Sequence, residues 1–140
     1  MKPGLTKKYL DDLTYEILGA AIEVHKCLGP GLLESIYHKC MKHELTLRGI
    51  EFKSEMPVPI IFKDFFSITD LRCDLFVDDC ILTELKAMDV IPPVHAVKAL
   101  SYMRFLNSPK GIMINFNVIN ITKEGKKTFV NELYRSLPDE

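Results

Sequence analysis

The sequence predicts an α/β fold of the α+β kind, a mixed β-sheet flanked by helices, and three observations predict it. Two amphipathic helical segments come first, divided by Leu28-Gly29-Pro30-Gly31. Strand-like runs then replace the helical period with a period of two. Finally, a third helical segment leads into an apolar run that reads as buried on both faces. The order α-α-β-β-β-α-β packs most economically as one mixed sheet between helices. The strand–helix–strand step calls for a right-handed crossover.

Leu10, Leu13, Ile17, Ala20, Ala21 and Val24 recur at steps of three and four, which predicts a helix from Lys8 to Lys26 ended by Gly29. Leu33, Ile36, Tyr37, Cys40 and Leu47 continue that period, so a second helix is expected over Leu32 to Arg48, stopped by Gly49. Ile50 to Lys53 and Val58 to Lys63 read as extended, with Pro57 and Pro59 marking an edge strand or a bulge. Asp70 to Val77 and Cys80 to Ala87 are expected as two strands around the turn-prone Asp78-Asp79. Together these make a meander of three or four strands. Pro92-Pro93 opens a helix over Val94 to Asn107, and Gly111 to Val118 forms the buried strand. The tail from Lys127 to Tyr134 fits a short strand or a short helix equally.

At ~100–200 residues per domain, 140 residues make one domain, 1–140. A hydrophobic share of 47% with 26% charged residues excludes disorder and low-complexity character. A net charge of −1 excludes a polycationic surface, so nucleic-acid binding would need a local basic groove. No apolar run approaches the ~20 residues of a membrane span, and no secretory leader is expected. Cys27, Cys40, Cys73 and Cys80 show no C-x-x-C spacing and read as reduced thiols, with a cytoplasmic location as the expectation.

The chemistry concentrates on the strands. Glu84 and Lys86 are two apart and so project from one sheet face, ~7 Å from each other. A hairpin turning at Asp78-Asp79 brings Asp74 opposite residue 83, one step from Glu84, and a bulge or a slightly longer turn corrects the parity. Asp74, Glu84 and Lys86 would then stand side by side. Two carboxylates and an ammonium make a hard-oxygen site for Mg²⁺, and Lys86 could stabilise phosphate charge or help deprotonate a water. A cross-strand ion pair on a solvated face fits the same spacing. Glu34, in the first turn of the second helix, lies one turn from Tyr37. An ordinary acidic helix start and a half-buried aromatic fit that pair as well. His95, Lys98 and Tyr102 share one face of the third helix and could overhang the site, or simply face solvent. Cys40 and His43 share a helix face, but no second pair completes a zinc site. No P-loop, dinucleotide fingerprint or serine elbow is present. Lys123, Lys126 and Lys127 form a small basic cluster.

Gly31-x-x-Glu34-x-x-Tyr37 matches the signature of the GxxExxY protein family. Arg72-Cys73-Asp74, Leu82-Thr83-Glu84-Leu85-Lys86-Ala87, His95, Tyr102 and Gly111 to Phe116 resemble the rest of it, from about Leu10 to Val118. That family resembles the PD-(D/E)XK nuclease superfamily. The resemblance implies a restriction-endonuclease-like αβββαβ core and cleavage of phosphodiesters with Mg²⁺ or Mn²⁺. It implies Glu34, Asp74, Glu84 and Lys86 as catalytic residues and Asp74, Glu84 and Glu34 as metal ligands. Tyr37, His95, Lys98 and Tyr102 would meet substrate. The family pattern carries Gln four residues before the helix tyrosine, and here that position is Lys98. A cation there can contact phosphate as a point charge or pair with a ligand carboxylate.

Two functions follow. One is a metal-dependent nuclease acting on nucleic acid, DNA before RNA, by metal-activated water. The other is a catalytically inactive relative serving as a binding or assembly module. Without a separate DNA-reading domain, targeting would fall to a partner or to homo-oligomerisation.

Overall fold

Thr6 opens the first helix, α1 (Lys7–Leu28), its hydroxyl accepting the Tyr9 N–H at 3.0 Å. Gly29, at φ 71°, ends it in a conformation that L side chains rarely adopt. The computed structural model describes all residues, Met1–Glu140. The second helix, α2, spans Glu34–Leu47. It starts two residues later than the periodicity predicts because Leu33 is extended at ψ 146°. Leu10, Ile17, Ala20, Ala21 and Val24 of α1 and Tyr37, Met41 and Leu45 of α2 are buried together, the outcome of their three- and four-residue spacing.

Five strands follow in the spatial order β1-β2-β3-β4-β5. The two extended pieces expected before and after Pro57 are one edge strand, β1 (Phe52–Phe62), whose register shifts between Pro57 and Pro59. The prolines fit an edge, where a missing N–H costs no ladder bond. At the shift, Thr69 Oγ1 donates to Val58 O at 3.2 Å and accepts the Leu71 N–H at 3.1 Å, satisfying backbone groups that the bulge releases. The strand β2 (Phe65–Val77) begins five residues before the expected Asp70. Phe62 and Phe65 pair directly, so Lys63-Asp64 is a two-residue hairpin turn with Lys63 at φ 56°.

β3 (Ile81–Lys86) pairs antiparallel with β2 and parallel with β4 (Lys110–Asn115). The parallel step is bridged by α3 (Val94–Leu106), after which Asn107 takes the left-handed conformation. Beyond β4 come a short helix α4 (Ile121–Glu124), an antiparallel strand β5 (Lys126–Val130) and a short helix α5 (Glu132–Arg135). The tail thus holds both a strand and a helix.

The sheet has a core on each face. Leu75, Val77, Ile81, Leu85, Ile112 and Ile114 meet α1 and α2. Phe76, Leu82, Met113 and Phe129 meet Ala99, Tyr102 and Met103 of α3. Alternation along β3 and β4 therefore sends apolar groups both ways, which is why both read as continuous hydrophobic runs. Gly111 lets α3 approach: a Cβ there would lie 2.8 Å from the Met103 sulfur. No helix is long and apolar enough to cross a membrane.

Candidate functional site

The ladder between β2 and β3 runs through Val77–Ile81, Phe76–Leu82 and Leu75–Thr83 and ends there. The turn holds three residues, Asp78, Asp79 and Cys80, with both aspartates at left-handed φ (50° and 54°). The extra residue, Cys80, corrects the parity. Continued by one step, the register sets Asp74 opposite Glu84.

Where the ladder stops, the two carboxylates replace it. Asp74 Oδ2 accepts the Leu85 N–H at 2.7 Å, and Glu84 Oε2 accepts the Asp74 N–H at 3.3 Å. Each strand's freed N–H is thus capped by an acidic side chain of its neighbour. Glu84 is only 4% exposed, and its second oxygen, Oε1, is buried without a hydrogen-bond partner. Burial foremost, then the negative charge of Asp74 and a hydrogen bond with it, push the Glu84 carboxyl up to about 8; Lys86 acts in the opposite direction. An orphaned carboxylate oxygen in a buried acidic pair is unfavourable by itself. It is the donor arrangement that suits a small, hard divalent cation. Asp74 and Glu84 could hold such an ion.

The other expected residues gather around this pair. Lys86, half-buried, favours ionisation of both Glu84 and Glu34. Glu34 stands at the start of α2. Its side chain is open to solvent overall, yet desolvation within the cleft and the nearby Asp74 raise its pKa, against Lys86, His38 and Lys98. From α3, the His95 pKa is lowered by desolvation and by Lys86 and Lys98, and its Nδ1 is buried without a partner. Burial and then Glu84 raise the Tyr102 pKa, and the ring is 6% exposed. The exposed Lys98 holds its ammonium 5.3 Å over that ring.

Tyr37 is a correction. It has no exposed surface, so it cannot meet substrate. Its ring stacks on Phe116 with centroids 4.6 Å apart. Its hydroxyl donates to Gly29 O and accepts the Leu32 N–H at 3.1 Å. Tyr37 therefore pins the Gly29–Leu32 turn, and with it the start of α2 that carries Glu34.

Two residues at the site escaped the sequence reading. His38 lies one turn beyond Glu34, and its Nδ1 is 3.4 Å from Glu55 Oε1. One potential ligand atom from each of His38, Glu55 and Asp74 falls within 4.8 Å of the other two. The i,i+4 spacing of Glu34 and His38 was a usable signal. Glu55 carried none, because it stands at φ 54° inside a strand.

A family model of the PD-(D/E)XK nuclease superfamily matches residues 11–128. No curated protein and no solved structure matches the chain. The family match spans most of the sequence, over the sheet that holds Asp74, Glu84 and Lys86. The chain belongs to the PD-(D/E)XK nuclease superfamily.

Proposed function

We propose that the protein hydrolyses nucleic-acid phosphodiester bonds with Mg²⁺ or Mn²⁺ held by Asp74 and Glu84 and reached by Glu34 through water. One observation carries this reading: the buried Glu84 oxygen that has no protein partner, beside Asp74 at the point where β2 and β3 part. The bound cation would supply a water of lowered pKa and neutralise phosphate charge. The chain's own groups do the rest. Asp74, anchored by the Leu85 N–H, keeps its carboxylate in a fixed place. Glu84, hard to ionise without a cation, gives up its proton when a ligand replaces it. Lys86, as an ammonium, stabilises charge on the phosphate oxygens or helps the attacking water lose its proton by lowering that water's pKa. Lys98 and His95, on α3, contact the phosphate at the mouth of the site. DNA is the favoured substrate over RNA.

Cleavage of plasmid DNA, a single-stranded DNA oligonucleotide and an RNA of the same sequence tests the reading, with Mg²⁺ affinity measured by calorimetry. The parent should cut with Mg²⁺ or Mn²⁺. Lys86→Ala should lose at least ~100-fold in rate, and Asp74→Asn should lose both cleavage and Mg²⁺ affinity. Lys98→Gln should change the rate only modestly. No cleavage by the parent, together with Mg²⁺ binding and cleavage gained in Lys98→Gln, would identify a natural binding module instead. Silence of both proteins on every substrate, without metal affinity, would sink the nuclease reading.

A further inference from the structure

The sheet narrows to two strands where β1 and β2 run on past β3. The β2–β3 ladder covers only Leu75 to Val77, so Phe65 to Ile68 of β2 has β1 as its one strand neighbour and an open edge on the other side. Val58, in the core under α3, is the last fully buried residue of β1. Beyond it the ribbon stands alone. Directly opposed residues share a face, as do residues two apart. The pairs Ile61–Phe66 and Pro59–Ile68 therefore make one apolar face, and Phe62–Phe65 with Ile60 makes the other. Ile61, Phe62, Phe65, Phe66 and Ile68 are between 47% and 65% exposed. A two-stranded ribbon is marginal in water, whereas three or more strands sharing an apolar face hold together. The opposite edge of the sheet is guarded: β5 is 5 residues long and opens with Lys126-Lys127. The ribbon has no such guard.

We propose that this ribbon is a dimerisation arm, with β2 of one copy pairing antiparallel with β2 of a second along Phe65–Ile68. The result is a four-stranded ribbon in which the apolar faces of both copies become continuous. A strand paired antiparallel with its own copy closes on a two-fold axis, so assembly stops at two chains. The area fits a second copy. At about 200 Å² per ring and somewhat less per isoleucine, the five side chains expose about 550 Å². Two such tips together offer about 1,100 Å², just above the ~1,000 Å² that a specific interface needs. Charge disfavours a phosphate backbone or an anionic lipid surface. From Pro59 to Asp70, Lys63 is outnumbered by Asp64 and Asp70, so the arm has no surplus of cations. The Asp74/Glu84 pair plays no part in the contact, and the dimer does not depend on cleavage of any substrate.

Sedimentation of the full chain, with chelator and without nucleic acid, from about 1 µM to about 500 µM tests the arm, because an interface of this modest size gives micromolar affinity. The mass should rise from one chain to two and no further. Ile68→Lys sets a charge on the open edge, and Phe66→Ser removes a central ring. Each should raise the midpoint concentration at least ~10-fold, while Phe66→Leu keeps the dimer. These side chains are exposed, so the melting temperatures should coincide at the lowest concentration, where every chain is single. In the parent itself, amide exchange at Phe65 to Ile68 should slow as concentration rises. A single-chain mass throughout, growth beyond two chains, a dimer that both Ile68→Lys and Phe66→Ser leave intact, or a dimer without added protection at Phe65 to Ile68 would each overturn the proposal. So would a monomeric parent whose binding to DNA or to anionic vesicles falls in Phe66→Ser, which would make the arm a wedge for nucleic acid or membrane. Failure of the nuclease reading looks different: no substrate is cut, while the concentration-dependent dimer persists.

Discussion

Glu84 condenses the conflict between folding and function into one side chain. Folding buries it beside another carboxylate and pushes its pKa from an ordinary 4.5 to about 8. Between those values the folded chain holds a proton that the unfolded chain has released. The stability tied to that proton is complete below pH about 4.5 and is lost as the pH rises through about 8. Glu84→Gln removes the titration while keeping the shape. In urea unfolding with a chelator present, the parent should lose stability between pH 5 and 8 more steeply than Glu84→Gln. Equal slopes would show that Glu84 does not carry the proton. Added Mg²⁺ should flatten the parent's slope and leave the variant's unchanged, since a cation offsets the same repulsion.

At the scale of elements, the site depends on where two strands separate and on how the third helix is tied back. Asn115, at the end of β4 and 6% exposed, secures that tie. Its Oδ1 accepts the Met88 and Asn117 N–H groups, both at 3.1 Å, and its Nδ2 donates to Met88 O at 2.8 Å. Met88 belongs to the connection leading from Lys86 to α3, and so to His95, Lys98 and Tyr102. Asn115→Ala would leave these backbone groups unpaired, at a cost of about 1–3 kcal/mol. A lowered urea midpoint with an unchanged m-value, and amide exchange at Met88 and Asn117 faster than in the parent while β4 keeps its protection, would confirm the tie. Protection at Met88 as in the parent would refute it. The same tie explains how the connection before Pro92-Pro93 can place a helix accurately over the strand ends.

The molecule as a whole carries a charge of −1, so attraction to a phosphate backbone is confined to a few cations. On the proposed function, Lys86 and Lys98 are the cations that lie near the carboxylates. With two or three phosphate contacts, log K against log salt for double-stranded DNA should have a slope of about −2 to −3. Lys98→Gln should reduce that slope by about one. Filter binding or anisotropy between low and physiological salt, with Ca²⁺ replacing Mg²⁺ to block cleavage, measures it. A slope several times steeper would place the main contact surface elsewhere, such as around Lys123, Lys126 and Lys127. Long hairpin strands extend the sheet beyond the site: Phe62, Phe65, Phe66 and Ile68 at their tip are exposed. That apolar tip lies outside the charge balance.

By itself the sequence determined the order of elements, the helix ends at Gly29 and Gly49, and the period-two placement of Glu84 and Lys86 on one face. These depend on local backbone preferences and on which side chains repeat at which step, and both are written in adjacent residues. The spacing also suggested Asp74, Glu84 and Lys86 as one ionic set, which the family resemblance extended to Glu34. Tertiary structure alone decided the rest. Whether Asp74 faced Glu84 turned on one extra residue in a turn, Cys80, and parity is invisible until strands pair. Tyr37 reads like a site residue, but the stacking on Phe116, almost eighty positions away in the chain, buries it. Glu55 joined His38 only because the edge strand takes a positive φ at Glu55, between the pairs Ser54–Leu75 and Met56–Cys73 that run beside Asp74. Local spacing records what each segment can present; distances between segments arise only when the core closes, because the contacts that set them join residues far apart in the chain.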